Sequence, residues 1–222
     1  MPNLIATLGV ITAIATTPFA VTLQTSAAPA PAATAETPAA PAGLDAAERS
    51  ALLAKMSEAL SGVKTATGKF EQLSPDFQVT TGRFAIARPG KLRFDYDEPS
   101  PFLLVSDGTT VGLQDSELRT TDRIFLAQTP YAILLDDQLD LEARADILDV
   151  SRRSGQAAVT LRDKSGEMDG TLTLIFADET MELIGWRVVD SGGNITSVQL
   201  SDIEYGKRLN PRLFILKDFE EE

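Results

Sequence analysis

The chain has 222 residues with no histidine and no cysteine. That removes Ser-His-Asp and Cys-His catalysis, thiolate metal sites and disulfides. Carboxylates, lysines, tyrosines and hydroxyls remain. Asp95 and Asp97 are two apart on a strand, the arrangement of a paired-carboxylate hydrolase, but no second constellation accompanies them. The acidic run DDQLDLEARAD at 136–146 lacks the spacing and the glycine of a calcium loop and reads as a solvated connection. The terminal FEEE reads as a solubilising tail. No metal, no cofactor and no enzymatic activity are expected.

One charged residue stands in an unusual place. In FAIARPGKLRFDYDEPSP, residues 84–101, Phe84, Ile86 and Arg88 are spaced two apart. In a strand all three therefore share a face. A guanidinium thus ends an apolar row, just before the break at Arg88-Pro89-Gly90. Either Arg88 is a surface arginine closing a strand, or it sits at the rim of an apolar enclosure. At a rim its five donors can hold neighbouring backbone carbonyls or hydroxyls.

The elements around it follow from periodicity. Residues 1–27 begin with an apolar, uncharged run and end in small residues, as in a secretory signal peptide, although Met1-Pro2-Asn3 supplies no basic charge. Residues 28–43, APAPAATAETPAAPAG, form an Ala/Pro-rich linker. A domain is expected over 44–222. LDAAERSALLAKMSEALSG (44–62) places Leu52, Leu53, Met56, Ala59 and Leu60 on one side of a helix that stops at Gly62. A second short helix is expected over 129–135, capped by Thr129, with Tyr131, Leu134 and Leu135 as its apolar side. Almost everything else alternates with period two around turn residues: TATGKFEQLS, FQVTTGRFAIAR, KLRFDYDE, FLLVSDGTTVGLQ, DILDVSRR, QAAVTLRD, GTLTLIFAD, LIGWRVVD, NITSVQLSDIEYG and a closing RLFIL. Strands joined by short turns indicate an antiparallel meander.

Eight to eleven apolar strand faces need covering, and two short helices are available. A mainly β (α+β) fold satisfies this as a curled antiparallel sheet, an unclosed β-barrel, with the helices as a lid. The interior is either filled by side chains or left as an apolar space for an acyl chain. Candidate wall residues are Phe84, Ile86, Leu92, Phe94 and Tyr96, with Leu172, Leu174, Phe176 and Trp186 opposite. Leu52, Leu53, Met56, Tyr131, Leu134 and Leu135 are candidate lid contacts. The net charge of -12 disfavours nucleic acid and anionic membrane surfaces.

GRFAIARPGKLRFDYDEP followed by LLVSDGTTVGLQD resembles the LolA family of periplasmic carriers of outer-membrane lipoproteins. The match runs through Gly82, Arg88-Pro89, Leu92-Arg93-Phe94, Pro99 and Ser106-Asp107-Gly108, with GKFEQ upstream. The resemblance implies a half-barrel cavity for the acyl chains of lipoproteins, an arginine at 88 tied to lid closure, and a loop at Pro89, Gly90 and Leu92 that engages a transporter. It implies as partners acylated lipoproteins, an inner-membrane lipoprotein-releasing ABC transporter and an outer-membrane acceptor, with the carrier a monomer in the periplasm. A half-barrel sensor or structural protein of the envelope is the alternative. Leucine at 92, where an aromatic is common, the long linker and the negative charge depart from the family pattern.

Overall fold

The computed structural model describes residues 44–137 and 139–219. The expected signal peptide and linker lie outside them.

Helix α1 (Ala46–Gly62) starts at a capping box. The Asp45 carboxylate accepts from the Glu48 backbone N–H, and the Glu48 side chain accepts from that of Asp45. Its apolar positions recur at helical spacing, so Leu52, Leu53, Met56 and Leu60 are buried on one side. Six strands follow as a meander: β1 (Thr65–Leu73), β2 (Val79–Ala87), β3 (Lys91–Tyr96), β4 (Phe102–Asp107), β5 (Thr110–Asp115) and β6 (Thr120–Phe125). A crossing segment then carries a 3₁₀ turn (Leu126–Gln128), α2 (Tyr131–Leu134) and α3 (Leu141–Arg144). A second meander completes the sheet with β7 (Ala145–Arg153), β8 (Gln156–Asp163), β9 (Thr171–Ala177), β10 (Leu183–Val189) and β11 (Ile195–Tyr205).

The 11 strands form one sheet in the order β6-β5-β4-β3-β2-β1-β11-β10-β9-β8-β7. Pairing of β1 with β11 joins the two meanders, and every neighbouring pair is antiparallel. Strands β6 and β7 are the two edges, so the barrel is not closed. The chain between these edges must cross the open side, and it carries α2 and α3 with it. The lid is thus built from α1 and from the one connection that topology forces over the opening.

Three expectations are corrected. Thr129 does not cap α2: its hydroxyl donates to Leu126 O within the preceding 3₁₀ turn, and Pro130 stands at the N-cap position. The run at 136–146 is not merely a solvated connection. Leu139 and Leu141 are buried, and Asp140 caps α3. RLFIL does not close the sheet. It forms a 3₁₀ turn (Pro211–Phe214) and an extended strap on the outer face of β3–β6.

Candidate functional site

Strand alternation brings the expected wall residues together. Register pairs Phe84 with Phe94 and Ile86 with Leu92 across β2 and β3, and Leu174 with Trp186 across β9 and β10. All six are buried, as are Leu172 and Phe176. Phe94 lies at the centre of the aromatic group, edge-on to Phe70 at 4.5 Å and to Trp186 at 6.0 Å between ring centroids. Phe70 also meets Tyr96 edge-on at 5.0 Å. Phe70 was absent from the expected wall, yet its parity with Gly68 in GKFEQ marks it. Gly82, opposite Phe70, leaves room for the ring; a Cβ there would fall 2.6 Å from it.

The lid closes directly on this wall. Leu52, Leu53, Met56, Leu134 and Leu135 are buried in one cluster with the wall residues, and half-buried Tyr131 packs against it. The interior is therefore filled, which decides between the two readings of the pattern for this arrangement. Among the described residues, two apolar pockets beside this cluster measure about 60 Å³ next to Tyr131 and about 210 Å³ between α1 and β11, and a more polar groove of about 850 Å³ runs along the lid past Pro89, Gly108, Leu135 and Lys164. Ligand pockets usually span about 300–1,000 Å³, so neither inner pocket reaches the size of an acyl-chain site.

Arg88 holds that lid. Its Nε donates to Leu134 O at 3.0 Å and its Nη1 to Val63 O at 3.0 Å. These carbonyls end α2 and α1 respectively, where helices leave acceptors unpaired and accumulate negative charge. The last turn of neither helix contains a basic residue, so Arg88 supplies the cation for both. The backbone of its loop takes the next carbonyl in each case: Arg88 N–H donates to Lys64 O at 2.8 Å and Gly90 N–H to Leu135 O at 3.0 Å. One short loop thus grips both lid segments through four hydrogen bonds. Burial pulls the Arg88 pKa down to about 10, against the opposing field of Asp136.

The loop itself is pinned. Fully buried Ser106 donates to Gly90 O at 2.7 Å. Gly90 has φ +75°, and a Cβ on it would lie 2.7 Å from Gly108 Cα. This explains the Arg-Pro-Gly and Ser-Asp-Gly stretches as two halves of one joint. The lid segments are also tied to each other: Ser61 Oγ donates to Leu139 O and Lys64 Nζ to Asp137 O, each at 3.3 Å.

The expected contact loop is only partly on the surface. Pro89 is exposed and Gly90 is buried. Leu92, 1 % exposed, points into the wall and cannot face a partner in this arrangement. Its position one pleat into β3, in register with Ile86, requires that. Asp95 and Asp97 do not form a pair. Arg93 holds Asp95 bidentately at 2.7 and 2.6 Å, and Thr81 donates to Asp97 at 2.8 Å.

An antiparallel sheet open on one side, with helices packed over the opening and hydrogen-bonded to a single arginine, defines the class: a half-barrel covered by helices. The chain belongs to the LolA family. The model of that family, described as outer membrane lipoprotein carrier protein LolA, matches residues 61–217. Among curated relatives, the outer-membrane lipoprotein carrier protein of Pseudomonas syringae pv. syringae is 32% identical over 71% of this chain and 73% of its own. That of Methylococcus capsulatus is 29% identical over 72% of this chain and 81% of its own. Among solved structures, a LolA superfamily protein from Nitrosomonas europaea superposes with a TM-score of 0.47 at 10% identity, covering 76% of this chain and 97% of that one.

Proposed function

We propose that this protein is a periplasmic carrier that binds the acyl chains of lipoproteins between lid and half-barrel and moves them from the inner to the outer membrane. An inner-membrane lipoprotein-releasing ABC transporter would load it, and an outer-membrane acceptor would receive the cargo. The single observation that carries this reading is the Arg88 joint. A filled apolar interior under a lid held by a few hydrogen bonds can exchange its own side chains for acyl chains. Each such bond contributes about 1 kcal/mol net, and more where one partner is charged, so the closed form is held reversibly. Names carried by relatives at about 30% identity point the same way. Residues 1–27 would direct export and 28–43 would tether the domain during it.

Mixing the purified protein with acylated and non-acylated forms of one lipoprotein tests the proposal. Only the acylated form is expected to bind. Equal binding of the two forms, or binding of neither, sinks it.

A further inference from the structure

A second polar residue ends up among apolar ones, and the latch does not use it. Gln72 on β1 lies in one register row with Trp186 and Val198, which face the interior. It is only 4 % exposed. Its Oε1 accepts from the Tyr96 hydroxyl at 3.0 Å, which fixes the amide plane. The amide NH₂ makes no hydrogen bond to another described residue. Gln72 lines the small pocket of about 60 Å³ beside Tyr131, whose other walls include Leu104, Val111, Leu113 and Val188. Tyr131 lines the same pocket, and its hydroxyl is likewise unbonded to other described residues.

Neither the Gln72 amide nitrogen nor the Tyr131 hydroxyl is among the enclosed unsatisfied side-chain atoms of the described residues, so each donor is reachable by a water-sized group. The space would hold about two waters, far less than an acyl chain. It suits a small acceptor attached to something apolar, and an ester carbonyl at the root of an acyl chain is such a group. We propose that Gln72 and Tyr131 form an ester-reading site, donating to the carbonyl oxygens of ester-linked acyl groups and so fixing how deeply the chains enter beneath the lid. This rests on the carrier reading above and specifies which chemical feature of the cargo is read. Burial pushes Tyr131 up to about 12, so it stays a protonated donor at any physiological pH, and Tyr96, raised likewise, stays protonated to hold the Gln72 amide.

The test compares 1,2-dipalmitoylglycerol with its ether analogue 1,2-di-O-hexadecylglycerol, as competitors for a fluorescent acyl probe bound to the whole protein. The two carry equal chains and differ in the carbonyls. The ester is expected to bind about fivefold more tightly, the value of one net hydrogen bond. Gln72→Leu should bring the two within about twofold by weakening only the ester. Tyr131→Phe, a milder change, should shrink the preference in the same direction and keeps the test meaningful if Gln72→Leu fails to fold. Equal affinity for ester and ether in the unaltered protein overturns the ester-reading site and leaves the carrier reading standing. An ester preference that survives in both variants overturns it too. Binding of neither lipid removes the carrier reading itself, and the inference with it.

Discussion

Arg88 ends an apolar row because its stem belongs with Ile86 while its fork belongs to two helix ends. Arg88→Leu keeps the stem's packing and removes two of the four bonds that grip the lid. Charge-assisted bonds are each worth about 1.5–3 kcal/mol, so the closed form loses roughly a hundredfold or more in population relative to the open one. Under the proposed latch, in which closure expels the cargo, the variant should fold and take up acyl chains at least as readily as the unaltered protein, yet release them poorly. Delivery to acceptor membranes at the normal rate would refute the latch. Arg88→Lys should fall in between, because one ammonium cannot span both carbonyls as a planar fork does. The latch is also insensitive to ordinary pH. At about 10, Arg88 is protonated in both folded and unfolded chains below pH 9, and the chain has no histidine. The stability linked to Arg88 changes only above about pH 10, where the unfolded chain keeps the proton longer and stability rises with pH. Cargo release should therefore be flat between pH 6 and 8; a transition in that window would mean that another group governs the lid. Strand parity in the sequence marked Arg88 as unusual. It did not give the partners, because the backbone carbonyls of Val63 and Leu134 lack a side-chain signature.

At the scale of elements, the sheet was legible wherever one face is apolar and the other polar. Strand β6 was missed, since TTDRIF at an edge shows no clean alternation and is mostly exposed. The α3 region was missed because its acidic residues mask Leu139 and Leu141, whose burial depends on the crossing that topology imposes. RLFIL at 212–216 read as a strand from its apolar content, but it joins neither open edge of the sheet, β6 or β7. It packs outside, where Arg93 donates to Leu213 O and Gln114 to Lys217 O. Two glycines separate the demands of the two faces. A Cβ at Gly82 would lie 2.1 Å from Asp95 O and 2.6 Å from the Phe70 ring, so Gly82→Ala must part β2 from β3 and disturb the aromatic group. A Cβ at Gly112 meets only the end of the Leu216 side chain at 2.4 Å among its close neighbours, and that end can swing aside. Urea unfolding should show Gly82→Ala costing about 2–3 kcal/mol and Gly112→Ala about 0.5 kcal/mol. Similar midpoints for the two variants would contradict the view that the inner face is rigidly packed and the strap adaptable.

For the molecule as a whole, the central physical fact is a half-barrel whose lid packs directly onto the wall, with inner apolar pockets of only about 60 and 210 Å³ beside the wall among the described residues. Patterning left a filled core and an open cavity equally available, because Leu, Ile and Val serve both; only the packed lid decides. Under the proposed function, loading beneath the lid replaces protein contacts with lipid contacts of similar apolar character. The exchange costs little hydrophobic energy, since surface withdrawn from water stays withdrawn. What changes is the set of neighbours around the wall, and the chain carries its own reporter of that change. Trp186 is the single tryptophan, 2 % exposed and edge-on to Phe94 at 6.0 Å. In the empty protein it should emit as a buried indole and resist quenching by acrylamide. Acyl ligands should alter its intensity as Phe94 and the lid side chains give way, while the emission maximum stays blue because lipid replaces protein rather than water. Arg88→Leu should show greater acrylamide access before ligand is added, and lose that excess when ligand fills the space. A red shift on loading would mean that water enters with the lipid. Unchanged Trp186 emission at saturating acyl ligand would place the binding site away from this wall altogether, and the exchange of lid for lipid would have to be abandoned.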